Sequence, residues 1–347
     1  MIKASHFICN LRNKLLEPSR ISLRYSMESF MIIVDVIAAG LSWLGRQGTK
    51  AIAAIVVVGI AFPWLGGHLK PFVTEAIFVL LCTAFMRVNM RAAGACLRRP
   101  GLVIGATAWT SLAIPALIGM ICLSLGIDTS APGLFIAIMF QAVASPIMAA
   151  PSLAVLMGLD ATLVLITLVC GTALVPITAP LFALVFVGPA LSIPPLLLAG
   201  KLSIILLGAA FVGFGIRRLV GIKAIERQGE KINGFNIIIL FIFVAAIMEN
   251  VGTRVLSDTA MTIAITALSF VIFFAVLFLT TLVFLPAGRE RALAIGFTAS
   301  QRNMGLMLAA TGGALPEMTW LYFALAQFPI FLAPWILQPM VNRILKR

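Results

Sequence analysis

Charge is scarce in this chain: Asp, Glu, Lys and Arg make up 11% of the 347 residues, against 61% for hydrophobic side chains. That balance excludes a water-soluble globule, in which about a quarter of residues are charged. Acidic residues are rarest, 12 against 25 Lys and Arg, leaving a formal charge of +13. In a soluble protein such an excess points to nucleic acid; in an apolar one, basic residues collect in cytoplasmic loops, so their placement decides. Histidine occurs twice and cysteine five times (Cys9, Cys82, Cys96, Cys122, Cys170), with no C-x-x-C and no H-E-x-x-H. That spacing argues against a metalloenzyme or haem protein and implies no disulfide framework. The first 28 residues lack a hydrophobic core of signal-peptide length, so they are not a secretory signal. They read as an over-long start with Met27 or Met31 as initiator; an organelle transit segment is the alternative, and Glu17 and Glu28 count against it.

What the chain has in abundance is long apolar runs. Residues 30 to 50 place apolar side chains at helical spacing but carry Asp35, Ser42 and two cations, the pattern of an interfacial helix. Ten runs follow, near 51 to 66, 71 to 88, 101 to 125, 132 to 158, 161 to 188, 194 to 218, 235 to 252, 259 to 285, 290 to 312 and 317 to 341. Most reach the roughly 20 residues that a helix needs to cross a hydrocarbon core, and they lack the alternation of a barrel strand.

Loop charge orients the runs. With the N-terminus in the cytoplasm, Lys3, Arg12, Lys14, Arg20, Arg24, Arg46 and Lys50 precede the first helix. Arg87, Arg91, Arg98 and Arg99 lie at the second-to-third junction, and Arg217, Arg218, Lys223, Arg227 and Lys231 at the sixth-to-seventh. Arg289 and Arg291 precede the ninth helix, and Arg343, Lys346 and Arg347 close the chain. Only Lys70 and Arg254 fall on the opposite side, while Lys201 and Arg302 lie within helices. The bias predicts ten helices with both termini cytoplasmic, and it explains the positive charge without nucleic acid.

Ten helices divide into five plus five of opposite orientation. The expected organisation is a basic tail and interfacial helix over 1–50, a first five-helix repeat over 51–188 and an inverted second repeat over 189–347. The fourth and ninth helices then correspond, and each is the most polar of its half. In the fourth, Pro146 and Pro151 each remove a backbone donor, predicting a break about 21 Å into the helix. In the ninth, Arg302 lies about 17 Å beyond Arg291, at the same depth. A buried guanidinium costs at least about 2.5 kcal/mol there, and it marks the candidate site. Ser300, Gln301 and Asn303 lie within one turn of it, with polar groups to surround its fork. Lys201 reads as a cation that snorkels outward, and Glu75 and Glu249 as solvated residues near helix ends.

The five-plus-five arrangement, the proline-broken fourth helix and the ninth-helix segment SQRNMGLMLA resemble the bile acid:sodium symporter family over about residues 50 to 345. Asn303, Gly305 and Leu306 match its Asn-x-Gly-Leu pattern, and Pro115 its third-helix proline. The resemblance implies a core domain from helices three to five and eight to ten, and a panel from one, two, six and seven. It also implies crossed fourth and ninth helices and a substrate crevice between the domains. The sequence departs from the sodium-coupled pattern at Thr298, where a Glu is usual, and at Arg302, where a Gln is usual. Thr110 stands at the third-helix Gln position, and Pro151 beside Ser152 at the fourth-helix Asn. Sodium needs several oxygen ligands and a carboxylate to offset its charge, and no acidic residue remains at this depth.

The expectation is an all-α polytopic protein of a bacterial inner membrane that moves a small organic anion. Arg302, Asn303, Gln301, Ser300, Ser145 and Ser152 would line the substrate site, with Pro146 and Pro151 as helix breaks and Thr110 and Thr298 as degenerate ion-site positions. No metal or cofactor is called for beyond a possible Na⁺ whose usual ligands are replaced. Sodium-independent carriage, by uniport or proton coupling, is the alternative; a channel or ligand sensor on the same scaffold is another. An arsenite-exporting relative is disfavoured because no thiol lies at either break. An enzyme would need a nucleophile, acid/base pair or metal cluster at a membrane face, and none is visible.

Overall fold

A computed structural model describes residues 35–47, 61–88, 100–188, 193–249, 257–312 and 315–345, with isolated positions 51, 54, 55, 58, 59, 251 and 254. The side chains of Ser152, Leu156 and Pro334 lie outside what is described, as do the remaining N-terminal and loop cations. The protein is 89% helical, with no strand among the described residues. Seven helices are long and apolar enough to cross a membrane, which makes the chain an all-α, multi-pass membrane protein.

Helix α1 spans 35–47. Helix α2 (Pro63–Leu69) turns through Lys70–Phe72 into α3 (Val73–Arg87), and α4 runs over Pro100–Ser124 with a π turn at Trp109–Ala113. A short α5 (Ile127–Ser130) leads to α6 (Pro132–Val143) and α7 (Ala150–Met157), and then to α8 (Ala161–Val187). Next come α9 (Pro195–Val220), α10 (Ile222–Arg227), α11 (Gly229–Ile247) and α12 (Thr259–Phe284). The chain closes with α13 (Arg289–Ser300), α14 (Met304–Thr311), α15 (Glu317–Leu325) and α16 (Gln327–Ile344).

Two runs expected as single broken helices are pairs of shorter ones, α6 with α7 and α13 with α14. The first break differs from its expected form. α6 already stops at Val143, ahead of Pro146, and Pro151 occupies the first turn of α7. A proline there loses no helical hydrogen bond, so Pro151 starts a helix rather than breaking one. The run expected at 235–252 also moves, since α11 begins at Gly229. Its added polar turn is held by Arg46 on Glu230 at 3.0 Å and by Arg87 on Asn233 at 2.6 Å.

The helices pack as two groups. One holds α2, α3, α9 and α11, and the other holds α4, α6–α8 and α12–α16. α13 is buried from Ala292 to Ser300 and α14 from Met304 to Thr311, so both are enclosed by protein rather than lipid. Close approach requires glycine at 296: a Cβ there would lie 2.2 Å from the Thr281 hydroxyl oxygen and 2.7 Å from the Leu277 carbonyl oxygen of α12. By contrast α9 exposes Leu196, Ile204, Leu207, Phe211 and Leu219, as a lipid-facing surface would. The groups meet where α14 packs on α3 and α9, and α15 on α11; α7 and α13 pack chiefly within their own group.

Candidate functional site

The α6–α7 and α13–α14 links cross as a single antiparallel bridge between Pro146 and Arg302. Two backbone hydrogen bonds flank it: Ile147 N–H donates to Gln301 C=O at 3.0 Å, and Asn303 N–H to Ser145 C=O at 2.7 Å. Pro146 and Arg302 are thus a non-hydrogen-bonded pair, the ladder position at which a missing N–H costs nothing. The break therefore exchanges helical hydrogen bonds for bonds between the two crossing links. It keeps part of the interior backbone satisfied where no water is at hand.

Arg302 is 4% exposed. Its fork does not use the polar side chains expected to surround it. Nη1 donates to the Ala144 carbonyl at 2.8 Å and Nη2 to the Thr110 carbonyl at 3.1 Å. Both acceptors are backbone groups left over by irregular helix. Ala144 is the C-cap of α6 in an extended conformation, where the negative end of a helix favours a cation. Thr110 lies in the π turn, where the Ile114 N–H bonds Trp109 C=O instead of Thr110 C=O. The next donor in that i→i−5 pattern would be residue 115, a proline without an N–H. The Thr110 carbonyl is thereby free, and the guanidinium fills it.

Gln301 repeats the arrangement one residue earlier. Its Nε2 donates to the Ile330 carbonyl at 3.3 Å, and Pro334, four residues on in α16, lacks the N–H that a regular helix would supply. Adjacent side chains of the α13–α14 link thus complete two proline-interrupted helices. The hydroxyls of Thr298, Ser300 and Thr110 bond carbonyls of their own helices, at 2.7 Å to Ala294, 2.9 Å to Phe297 and 2.8 Å to Ala106. Unpaired buried oxygens remain on Ser145 (Oγ) and Gln301 (Oε1), and on Thr107, Thr167 and Thr172 (Oγ1). Asn303 is half-buried, and Ser152 sits in the first turn of α7.

A pocket of about 10 Å³, room for one water, lies beside Arg302 between Gln141, Ser300, Ile114, Ile118 and Phe273. Gln141 also accepts a hydrogen bond from the buried Tyr322 hydroxyl, joining α6 to α15. No group of three potential metal ligands occurs among the described residues.

A larger cavity of about 80 Å³ opens at the end of the bundle where α14 stops, lined by Lys70, Glu249, Arg254, Asp258, Thr262, Glu317 and Trp320. Lys70 bonds Glu249 at 2.8 Å and lies 5.3 Å above the Trp320 ring. Arg254 bonds Glu317 at 2.5 Å, and that hydrogen bond holds its guanidinium above the usual arginine pKa. Glu249, expected to be solvated, is therefore paired, whereas Glu75 is exposed. The Lys201 ammonium lies 3.8 Å from where a Cβ would stand on Gly312, the cap of α14, and so reaches inward to the protein.

Sequence reasoning located Arg302 but missed its acceptors, which are backbone atoms. Pro115 and Pro334 were the available signal, because a proline leaves unfilled a carbonyl four or five residues before it. No model of a known protein family matches the chain, and no curated protein matches it.

Proposed function

We propose that this protein is a secondary transporter of a small organic anion, similar to the bile acid:sodium symporters, working by alternating access around the crossing of α6–α7 and α13–α14. One observation carries the reading: two interrupted helices meet through reciprocal backbone hydrogen bonds in the protein interior, with Arg302 beside them. Interrupted helices place unfilled N–H and C=O groups where a hydrophilic solute can meet them away from lipid. The N-terminal ends of α7 and α14 and the fixed charge of Arg302 all favour a carboxylate or sulfonate.

In this reading the chain crosses a bacterial inner membrane ten times, as two inverted five-helix repeats with both termini cytoplasmic. The group of α2, α3, α9 and α11 is the panel, the other group is the core, and the Gly312 end faces outward. Packing of the groups through α14 and α15 supports a state closed at that end. Substrate would bind along the seam, with Ser145, Ser152, Ser300, Gln301 and Asn303 near the crossing. Purified protein in liposomes, assayed for uptake of labelled organic anions with and without Na⁺, tests the proposal. Saturable anion flux supports it; flux of only cations or neutral solutes, or no flux, overturns it.

Sodium-independent carriage is the second reading, favoured by the acceptors of Arg302. A permanent cation already occupies the carbonyls of Ala144 and Thr110, and no carboxylate is bonded to it to attract a second one.

A further inference from the structure

The cavity at the Gly312 end carries two ion pairs, and each lies on one side of the seam. Lys70 and Glu249 both belong to the panel group, at the start of α3 and the end of α11. Arg254 lies in the link from α11 to α12, and Glu317, its partner, opens α15 of the core group. What crosses the seam is weaker. Lys70 faces the ring of Trp320 in α15, and Lys201 of α9 reaches the C-terminal end of α14. Both are panel cations resting on core groups without formal charge: a π face and a helix end.

This division has a physical consequence. An ion pair across a seam must be broken and its charges rehydrated each time the seam opens. Here Lys70 keeps Glu249 and Arg254 keeps Glu317 when the two groups separate, and only a cation–π contact and a charge–dipole contact are lost. Such contacts hold a closed state by small factors and release it readily.

We propose that Lys70 on Trp320, with Lys201 on the end of α14, forms the outer gate of the protein, a latch that closes the cavity against the outside and yields without breaking an ion pair. The proposal rests on the two-body carrier reading, but its test requires neither flux nor a known substrate. Thr262, on α12, lines the cavity and is 6% exposed, whereas its neighbour Met261 is 45% exposed. In a variant with the native cysteines replaced, Thr262→Cys would be challenged from outside with a membrane-impermeant maleimide, with Met261→Cys as the accessible control. Slow labelling of Thr262→Cys is expected, accelerated about two- to fivefold by Lys70→Met, Trp320→Leu or Lys201→Met, with Met261→Cys unchanged. Lys70→Arg keeps a cation over the ring, and it should restore slow labelling, which separates the latch from misfolding. Labelling of Thr262→Cys that ignores the latch substitutions, or rises equally at Met261→Cys, overturns the gate whatever the flux experiment finds.

Discussion

Pro115 and Arg302 are complementary. The proline withholds the N–H that would fill the Thr110 carbonyl, and the arginine donates to that carbonyl from the opposite half of the sequence, at 3.1 Å. A residue that would normally weaken a helix interior thus creates the acceptor that makes a buried guanidinium tolerable.

Removing the fork should destabilise the crossing. Arg302→Ala leaves the Ala144 and Thr110 carbonyls without donors, at about 1 to 3 kcal/mol for each buried group left unpaired. Thermal unfolding in detergent should show a clear fall in Tm, with Arg302→Lys intermediate because an ammonium cannot span both acceptors with a planar fork. An alanine variant as stable as the parent would show that the two hydrogen bonds contribute nothing.

Pro115→Ala supplies an N–H that can compete for Thr110. The two substitutions should therefore be non-additive: the cost of Arg302→Lys should shrink by about 1 kcal/mol in the Pro115→Ala background. A double-mutant cycle on unfolding free energies measures that coupling, and strict additivity would mean the π turn and the arginine are independent.

Gly296 admits no side chain between α13 and α12. Gly296→Ala would press a methyl group against the Thr281 hydroxyl and the Leu277 carbonyl, an overpacking cost of about 1 to 3 kcal/mol. Gly101, where an added methyl group would meet nothing within 4 Å, is the matched control. The expected result is a lowered Tm for Gly296→Ala beside an unchanged Gly101→Ala.

Cation dependence separates the two transport readings. If Arg302 fills the carbonyls that a mobile ion would otherwise occupy, wild-type anion uptake should be flat as Na⁺ replaces choline, and Arg302→Gln should lose most of its flux. Strong stimulation of the wild type by Na⁺, with full transport by Arg302→Gln, would reject sodium-independent carriage.

Hydropathy made the helical, membrane-spanning character legible, because runs such as 259–285 are apolar over nearly their whole length and α12 occupies almost the same residues. The depth of Arg302 was equally plain, since a cation inside an apolar run is conspicuous. Its partners were not. A sequence displays side chains, while Ala144, Thr110 and Ile330 contribute only carbonyls whose availability depends on where a neighbouring helix loses a donor. Pro151 misled for a related reason: a proline breaks a helix or begins one according to the turn it occupies, and that turn is fixed by the crossing at Pro146. The latch was hidden as well, because Lys70 and Trp320 lie 250 positions apart and neither belongs to a recognisable motif.

The bond from Arg302 to Ala144 closes over 158 residues. During synthesis, the amino-terminal half must enter the bilayer with its interrupted segment incomplete, holding bare peptide oxygens until the partner stretch emerges from the ribosome. Insertion and assembly are therefore separate events for this chain, and the first half needs shelter in the translocon or beside a chaperone while it waits for the second.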